Sequence, residues 1–474
     1  MRKKFLYTSL LLTITSILHF SCQKETKEAP VPAAEDAVEA ARGFNKGHLK
    51  LTKTFSSDLV VKWLDMQLDM LRVPLEAGAG SQAAERCQAY CGIALYEAVV
   101  PGMPNYKSLQ HQLTDFPAMP VTQHGRAYHW GASANAALAE INRKLFPTAS
   151  AGNKTKLDNL ESSLQTQFAS ETDDETLQRS VAFGREVADK VFAWASTDGS
   201  ANVNPPYVPP VGPGLWVPTA PPPALPVNPY ASQRRLMVPG VARGTELAPP
   251  PPYSTDPNSA FYAMVKDVYD KSLVLTDDQK AMAIYHRDAP GYPGGGHFVS
   301  LLSQVFSKAK PSLDIAALAY AKVGIGQHDA TLICFTNKYN YNLVRPITYI
   351  KAVIDPNWNT LIPTPNHPEF PSAHATINGS VMKMLSSVFG DHFEITLHTY
   401  DYLGLPPRSF KSFEDMGIEM ANSRVFGGIH YQASCDKGRV QGKKVAHNIL
   451  RRVDFQEDDN RHGYDRHHHH HEHH

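Results

Sequence analysis

Apolar residues recur at helical spacing through most of the chain. In 57–72, SDLVVKWLDMQLDMLR, the residues Leu59, Trp63, Met66 and Met70 fall on one helix face, and Asp58 stands at the start, where a carboxylate complements free N–H groups. The stretches 83–100, 125–146 and 177–196 follow the same pattern, so 57–203 reads as an N-terminal helical bundle. Residues 315–344 are apolar on most sides, as a central bundle helix would be, and a second bundle is expected over 258–453. Between them, over 204–257, the pattern breaks into NPPYVPPVGPGLWVPTAPPPALPVNPY and then ELAPPPPYS. Proline removes a backbone donor and fixes φ, so this segment is extended. Leu215, Trp216 and Val217 interrupt the prolines with side chains that favour burial, which predicts a strap packed across the helices. No stretch supports an extensive sheet. The expected fold is all-α.

Charge and composition narrow the function classes. Lys plus Arg equals Asp plus Glu at 46 each, so no global field recruits nucleic acid, and any anion site must be local. The start, MRKKFLYTSLLLTITSILHFSCQKETKE, has a basic head, an apolar run of export length and then Cys22. Residues 1–22 are read as an export signal of lipoprotein type with Cys22 as the lipidated residue, and 23–56 as a flexible tether. A membrane association only through that anchor, in the periplasm or at the outer membrane of a bacterium, is the corresponding expectation. Cys87, Cys91, Cys334 and Cys435 match no zinc spacing and are assigned no chemistry. The His-rich end, 454–474, is read as a disordered tail or tag.

Three segments carry candidate chemistry. In KYNYNLVRP, Lys338 and Arg345 are seven residues apart, which on one helix would put two cations on nearly the same face about 10 Å apart, with Pro346 ending or bending the helix there. In HPEFPSAHATINGSVMKMLSSVFG, Ser372 stands where an N-cap is expected and His374 in the first turn; free N–H groups and the helix dipole make such a start an anion site. In SRVFGGIHYQAS, a turn at Gly427 and Gly428 would bring Arg424 and His430 together. The set predicts a tetrahedral oxyanion held by three cations, a hydroxyl and an amide, with one histidine on the axis of the ion and another as general acid/base.

These blocks, Lys338 to Arg345-Pro346, Pro371-Ser372-Ala373-His374, and Ser423-Arg424 to His430, resemble in order the three-part signature of the vanadium-dependent haloperoxidase and type 2 phosphatidic acid phosphatase superfamily. The likeness covers roughly residues 80 to 452, and the strap and YHRDAPG resemble bacterial haloperoxidase homologues. It implies vanadate as cofactor. His430 would bind vanadium, Lys338, Arg345 and Arg424 would neutralise the oxygens, Ser372 and the Ala373 amide would donate hydrogen bonds, and His374 would be the acid/base. Asp288 would steady an arginine. The implied partners are hydrogen peroxide, a halide and a small organic acceptor; a homo-oligomer is compatible with the chain.

The sequence departs from the family pattern in several places. Ala373 replaces a usual glycine, and Phe335 a common tryptophan. Ser434 stands where an aspartate usually holds the His430 ring, so Ser434 is expected to accept the ring N–H, with Asp436 as a substitute, and Ser434→Asp to tighten vanadate binding. His367 matches a histidine of bromoperoxidases, which favours bromide or iodide over chloride. Two other readings stay open. One is an acid phosphatase working through a phosphohistidine at His430; the other is a surface lipoprotein that binds an oxyanion without catalysis.

Overall fold

The computed structural model describes residues 50–72, 80–219, 225–287 and 296–457. Cys22, Asp288, the export segment and the tail beyond residue 457 lie outside the described residues. Among the described residues there are thirteen α-helices and one antiparallel pair of three-residue strands.

The first bundle is α1 (Asp58–Arg72), α2 (Gly80–Val99), α3 (Trp130–Leu145), α4 (Ala151–Ala169) and α5 (Asp174–Ala195). The face read from the sequence is the buried one: Leu59, Trp63, Met66 and Met70 are all in the core. Local capping sets several starts. Ser150 Oγ accepts from Asn153 N ahead of α4, and the Asp173 carboxylate accepts from Thr176 N ahead of α5, each satisfying a donor the helix cannot.

The second bundle follows as α6 (Ala260–Leu273), α7 (Asp277–Tyr285), α8 (Gly296–Ala309), α9 (Leu313–Tyr341), α10 (Pro346–Val353), α11 (Ala373–Phe389), α12 (Phe413–Phe426) and α13 (Gln432–Arg452). Strands β1 (Ile395–Leu397) and β2 (Arg408–Phe410) pair between α11 and α12. Helix α9 is the axis of the molecule and is buried along almost its whole length. It packs on α2 so closely that a Cβ on Gly324 would lie 2.7 Å from Ala89 Cα. Helices α11 and α13 also cross backbone to backbone, where a Cβ on Gly442 would fall 1.8 Å from Thr376 O. Only glycine permits these approaches. One continuous apolar core runs from Leu59 to Phe455 and does not stop between the bundles.

The proline-rich segment crosses α9 as a strap. Trp216 N donates to Asn342 O at 2.7 Å and Val344 N to Gly214 O at 2.9 Å, while Tyr339 OH reaches Val227 O. Further along, Met237 N and Val238 N both donate to the buried carboxylate of Asp329. Trp216 is buried, as its size demands, but Val217 beside it is exposed. Residues 50–56, expected as tether, are folded: Thr52 Oγ1 donates to Val99 O, and Leu313 N to Phe55 O. Residues 454–457 also pack, with Phe455 fully buried under Tyr96.

Candidate functional site

The site forms where the C-terminal end of α9, the start of α11 and the α12–α13 turn meet. Helix α9 stops at Asn342, which takes a left-handed φ of 49°. Arg345 is therefore not on α9 with Lys338, as seven-residue spacing would have it; it is the N-cap of α10, with Pro346 at the first helical position, where a missing N–H costs nothing. Strap contacts at Gly214 and Trp216 pin this reversal.

Both cations are fully buried. Lys338 Nζ donates to Pro368 O at 3.0 Å and to Glu369 O at 2.9 Å. Arg345 donates from Nε to His367 O at 2.9 Å, from Nη1 to Ile429 O at 2.8 Å, and from Nη2 to His367 Nδ1 at 3.0 Å. Burial lowers the pKa of Lys338, and lowers that of Arg345 to about 10. Each therefore stands to gain from a compensating anion.

Gly427 caps α12 and Gly428 takes φ +77°, turning the chain so that Arg424 and His430 face one cavity. Arg424 Nη1 donates to His286 O at 2.8 Å. His430 Nδ1 lies 2.8 Å from Glu369 Oε1, and its Nε2 lies 3.2 Å from Arg345 Nη1. Arginine has only donors, so Nε2 carries the lone pair and Nδ1–H donates to the carboxylate. Burial, then Arg345, Lys338 and Arg424, push the ring's pKa well below its ordinary value. The result is a neutral imidazole with a fixed tautomer, whose unprotonated Nε2 accepts from Arg345 beside the cavity.

The ring's acceptor is thus Glu369 and not Ser434. Ser434 Oγ donates instead to Glu369 Oε2 at 2.6 Å, and Tyr431 N donates to Oε1 at 3.0 Å, so three donors converge on one carboxylate. Asp436 is exposed and accepts from Gln432. A signal for Glu369 was present in HPEFPS, a lone acid in an apolar and prolyl stretch that the helix amphipathy does not explain.

Ser372 is the N-cap of α11, but its side chain caps nothing. Its Oγ is buried and meets only the Cys435 thiol, a weak hydrogen-bonding group. Ala373 opens the helix with negative φ, so its methyl is tolerated and its amide is kept. His374 and Ala373 line the cavity with Arg424 and His430, and Phe335 and His367 close it, ring edge to face at 5.1 Å. The cavity measures about 50 Å³, room for about three to five water positions and so for one small ion. A larger groove of about 940 Å³, between α11, α12 and α13, shares no residue with it.

The family model described as the VCPO second helical-bundle domain matches residues 318–457, the span holding every one of these groups except His286. A bacterial vanadium-dependent iodoperoxidase of known structure superposes with a TM-score of 0.75 at 28% identity, over 85% of this chain and 98% of that one. The chain has the fold of these vanadium haloperoxidases, and residues 318–457 carry the likeness to their second helical-bundle domain. Apo and holo forms of a bacterial vanadium-dependent chloroperoxidase share the fold, with TM-scores of 0.61 and 0.60 at 15% and 16% identity, over 81% of this chain and 96% and 94% of theirs. No curated protein matches the sequence.

The donor set at this site fits a tetrahedral oxyanion such as vanadate. Three cations, a buried serine hydroxyl held only by a thiol, and helix-start amides are all donors, and one unprotonated ring nitrogen stands among them. Such a set attracts an anion and repels a bare metal cation.

Proposed function

We propose that this protein is a vanadium-dependent haloperoxidase that oxidises iodide or bromide, in preference to chloride, with hydrogen peroxide, and passes the hypohalous product to a small organic acceptor. The observation that carries the reading is the unprotonated Nε2 of His430, its ring held by Glu369, with Arg345 donating to it and Arg424 on the same small buried cavity. Likeness to the iodoperoxidase, and His367 at the cavity wall, support the halide order.

Vanadate, when bound, supplies Lewis-acid activation of peroxide without change of its own oxidation state. The chain does the rest. His430 Nε2 would offer its lone pair to the group, and Glu369 holds the Nδ1 proton in place so that the ring keeps that orientation. Lys338, Arg345 and Arg424 neutralise the oxygens, while Ser372 Oγ and the Ala373 N–H donate to them. His374 takes a proton as peroxide arrives and returns one as the product leaves.

The same cage with a nucleophilic His430 would suit phosphoryl transfer, so the test has two arms on protein lacking residues 1–22. Peroxide-dependent oxidation of iodide and bromide should appear only after orthovanadate loading and be lost in His430→Ala. Phosphate-ester hydrolysis blocked by vanadate, with no halide oxidation, would overturn the reading in favour of a phosphatase, and silence in both arms would favour a binding protein. The export expectation is part of the proposal: Cys22→Ala should release the protein from the membrane fraction, and an unchanged distribution would refute the lipid anchor.

A further inference from the structure

The small strand pair has no part in the mechanism above, yet its contacts lead to Arg424. β1 and β2 set Leu397 opposite Arg408, and both residues reach α7. Tyr285, the last residue of α7, donates from its OH to Leu397 O at 2.9 Å. Arg408 donates from Nη1 to Asp278 Oδ1 at 3.1 Å, near the start of α7, and from Nε and Nη2 to the two carboxylate oxygens of Glu419 on α12. Glu419 closes the circuit, since its Oε1 lies 2.9 Å from His286 Nε2. Tyr285 and His286 are thus held from β1 and from α12 at once.

Burial works to raise the Glu419 carboxyl, but hydrogen bonds from His286 and Arg408 outweigh it and hold the group below the ordinary carboxylate range. Burial also keeps the His286 ring below its ordinary value. A charged carboxylate only accepts, so Nε2 carries the proton of a neutral ring and donates it to Glu419. His286 is the C-cap of α7, where the backbone carbonyl has no partner further along the helix. That carbonyl accepts from Arg424 Nη1 at 2.8 Å. A guanidinium is a flat, rigid fork, so fixing one nitrogen fixes the plane of the whole group.

We propose that Glu419 is a positioning residue for Arg424: by clamping the His286 ring it fixes the His286 carbonyl, and through it the angle at which Arg424 faces the oxyanion. The proposal rests on the oxyanion site described above and adds a residue that acts there without lining the cavity. An arginine aimed before the ligand arrives loses less side-chain freedom on binding, which tightens the complex.

The test is a double-mutant cycle read by isothermal titration of the vanadate-free protein with orthovanadate, in which the stoichiometry reports the folded fraction and Kd the affinity. Glu419→Ala should weaken binding about tenfold or more. Arg424→Lys keeps a cation, and so measurable binding, but replaces the rigid fork by a flexible point charge. In that background Glu419→Ala should change affinity by less than about twofold, because the group it aims is gone. His286→Ala, which deletes the ring and keeps the carbonyl, should show the same pair of results. Equal losses in both backgrounds would make Glu419 a general support of the fold and overturn the proposal. Wild-type affinity in Glu419→Ala would overturn it too, while leaving the oxyanion site standing. A wild type that does not bind orthovanadate would overturn the site itself.

Discussion

Replacing Ser434 by aspartate tests which group holds the His430 imidazole, because the two candidate arrangements give different pH dependences. Ser434 Oγ lies 2.6 Å from Glu369 Oε2, and both side chains are buried. A carboxylate placed there meets Glu369 in hydrogen-bond contact, and two carboxylates so close share one proton. Holding that proton to pH 7, against an ordinary aspartate pKa of about 3.9, costs about 4 kcal/mol of folding stability. That is a large part of the roughly 5–15 kcal/mol that keeps a domain folded. The sign follows from the raised pKa: the penalty is absent below about pH 4 and grows by up to about 1.4 kcal/mol per pH unit until the folded-state pKa is passed. Ser434→Ala loses one hydrogen bond to a charged acceptor, about 1.5–3 kcal/mol, and should show no such slope. Urea unfolding of the wild type and both variants at pH 5, 6, 7 and 8 reads this directly. Had Ser434 been the ring's acceptor, the new carboxylate would pair with the imidazole, its pKa would fall, and the variant would be at least as stable as the wild type with no loss between pH 5 and 8, losing that gain only below about pH 4. A Ser434→Asp protein as stable as the wild type, or one that strengthens with pH, would refute the Glu369 bridge and return the ring to Ser434.

Three further outcomes follow from the same geometry. Ser372→Ala removes a hydroxyl that meets only the weakly hydrogen-bonding Cys435 thiol, so the thermal midpoint should shift by less than about 1 kcal/mol equivalent while orthovanadate affinity falls about tenfold or more; equal loss of both would make the serine structural. Gly428→Ala forces a left-handed φ of 77° on a residue with a side chain and sets its Cβ 3.1 Å from Trp358 Cη2. It should cost about 1–3 kcal/mol by thermal unfolding and weaken vanadate binding, since the turn aims His430. Burial lowers the Lys338 pKa in the empty site, and a bound anion raises it again, so the protein should take up protons on binding and lose affinity as pH rises through the empty-site value. Titration calorimetry in two buffers of different ionisation enthalpy, corrected for the ligand's own protons, measures that uptake; none at any pH between 6 and 9 would refute it.

The sequence by itself determined the helices and much of the chemistry. Periodicity marked α1, α2, α3 and α5 because each has one face that water rejects, and α9 stood out because it is apolar on most sides; both preferences are written residue by residue. The strap was legible because proline restricts its own backbone wherever it stands. Lys338, Arg345, Ser372, His374, Arg424 and His430 were legible as a set of donors and two imidazoles with no evident local use, and the Gly427–Gly428 turn explained how two of them meet. Tertiary structure alone decided who holds whom. The Glu369–His430 bond spans 61 residues, and nothing in the local pattern separates Glu369 from Ser434 or Asp436 as the acceptor. Lys338 and Arg345 look like neighbours on one helix, but a left-handed Asn342 and two strap hydrogen bonds place them on different elements. Glu85 reaches the cavity because α2 packs against α9 at Gly324, a contact between bundles that neither sequence segment announces. Helical propensity is a sum over near neighbours, whereas a hydrogen-bond partner is fixed by where the whole core settles, and that is why the one could be read along the chain and the other could not.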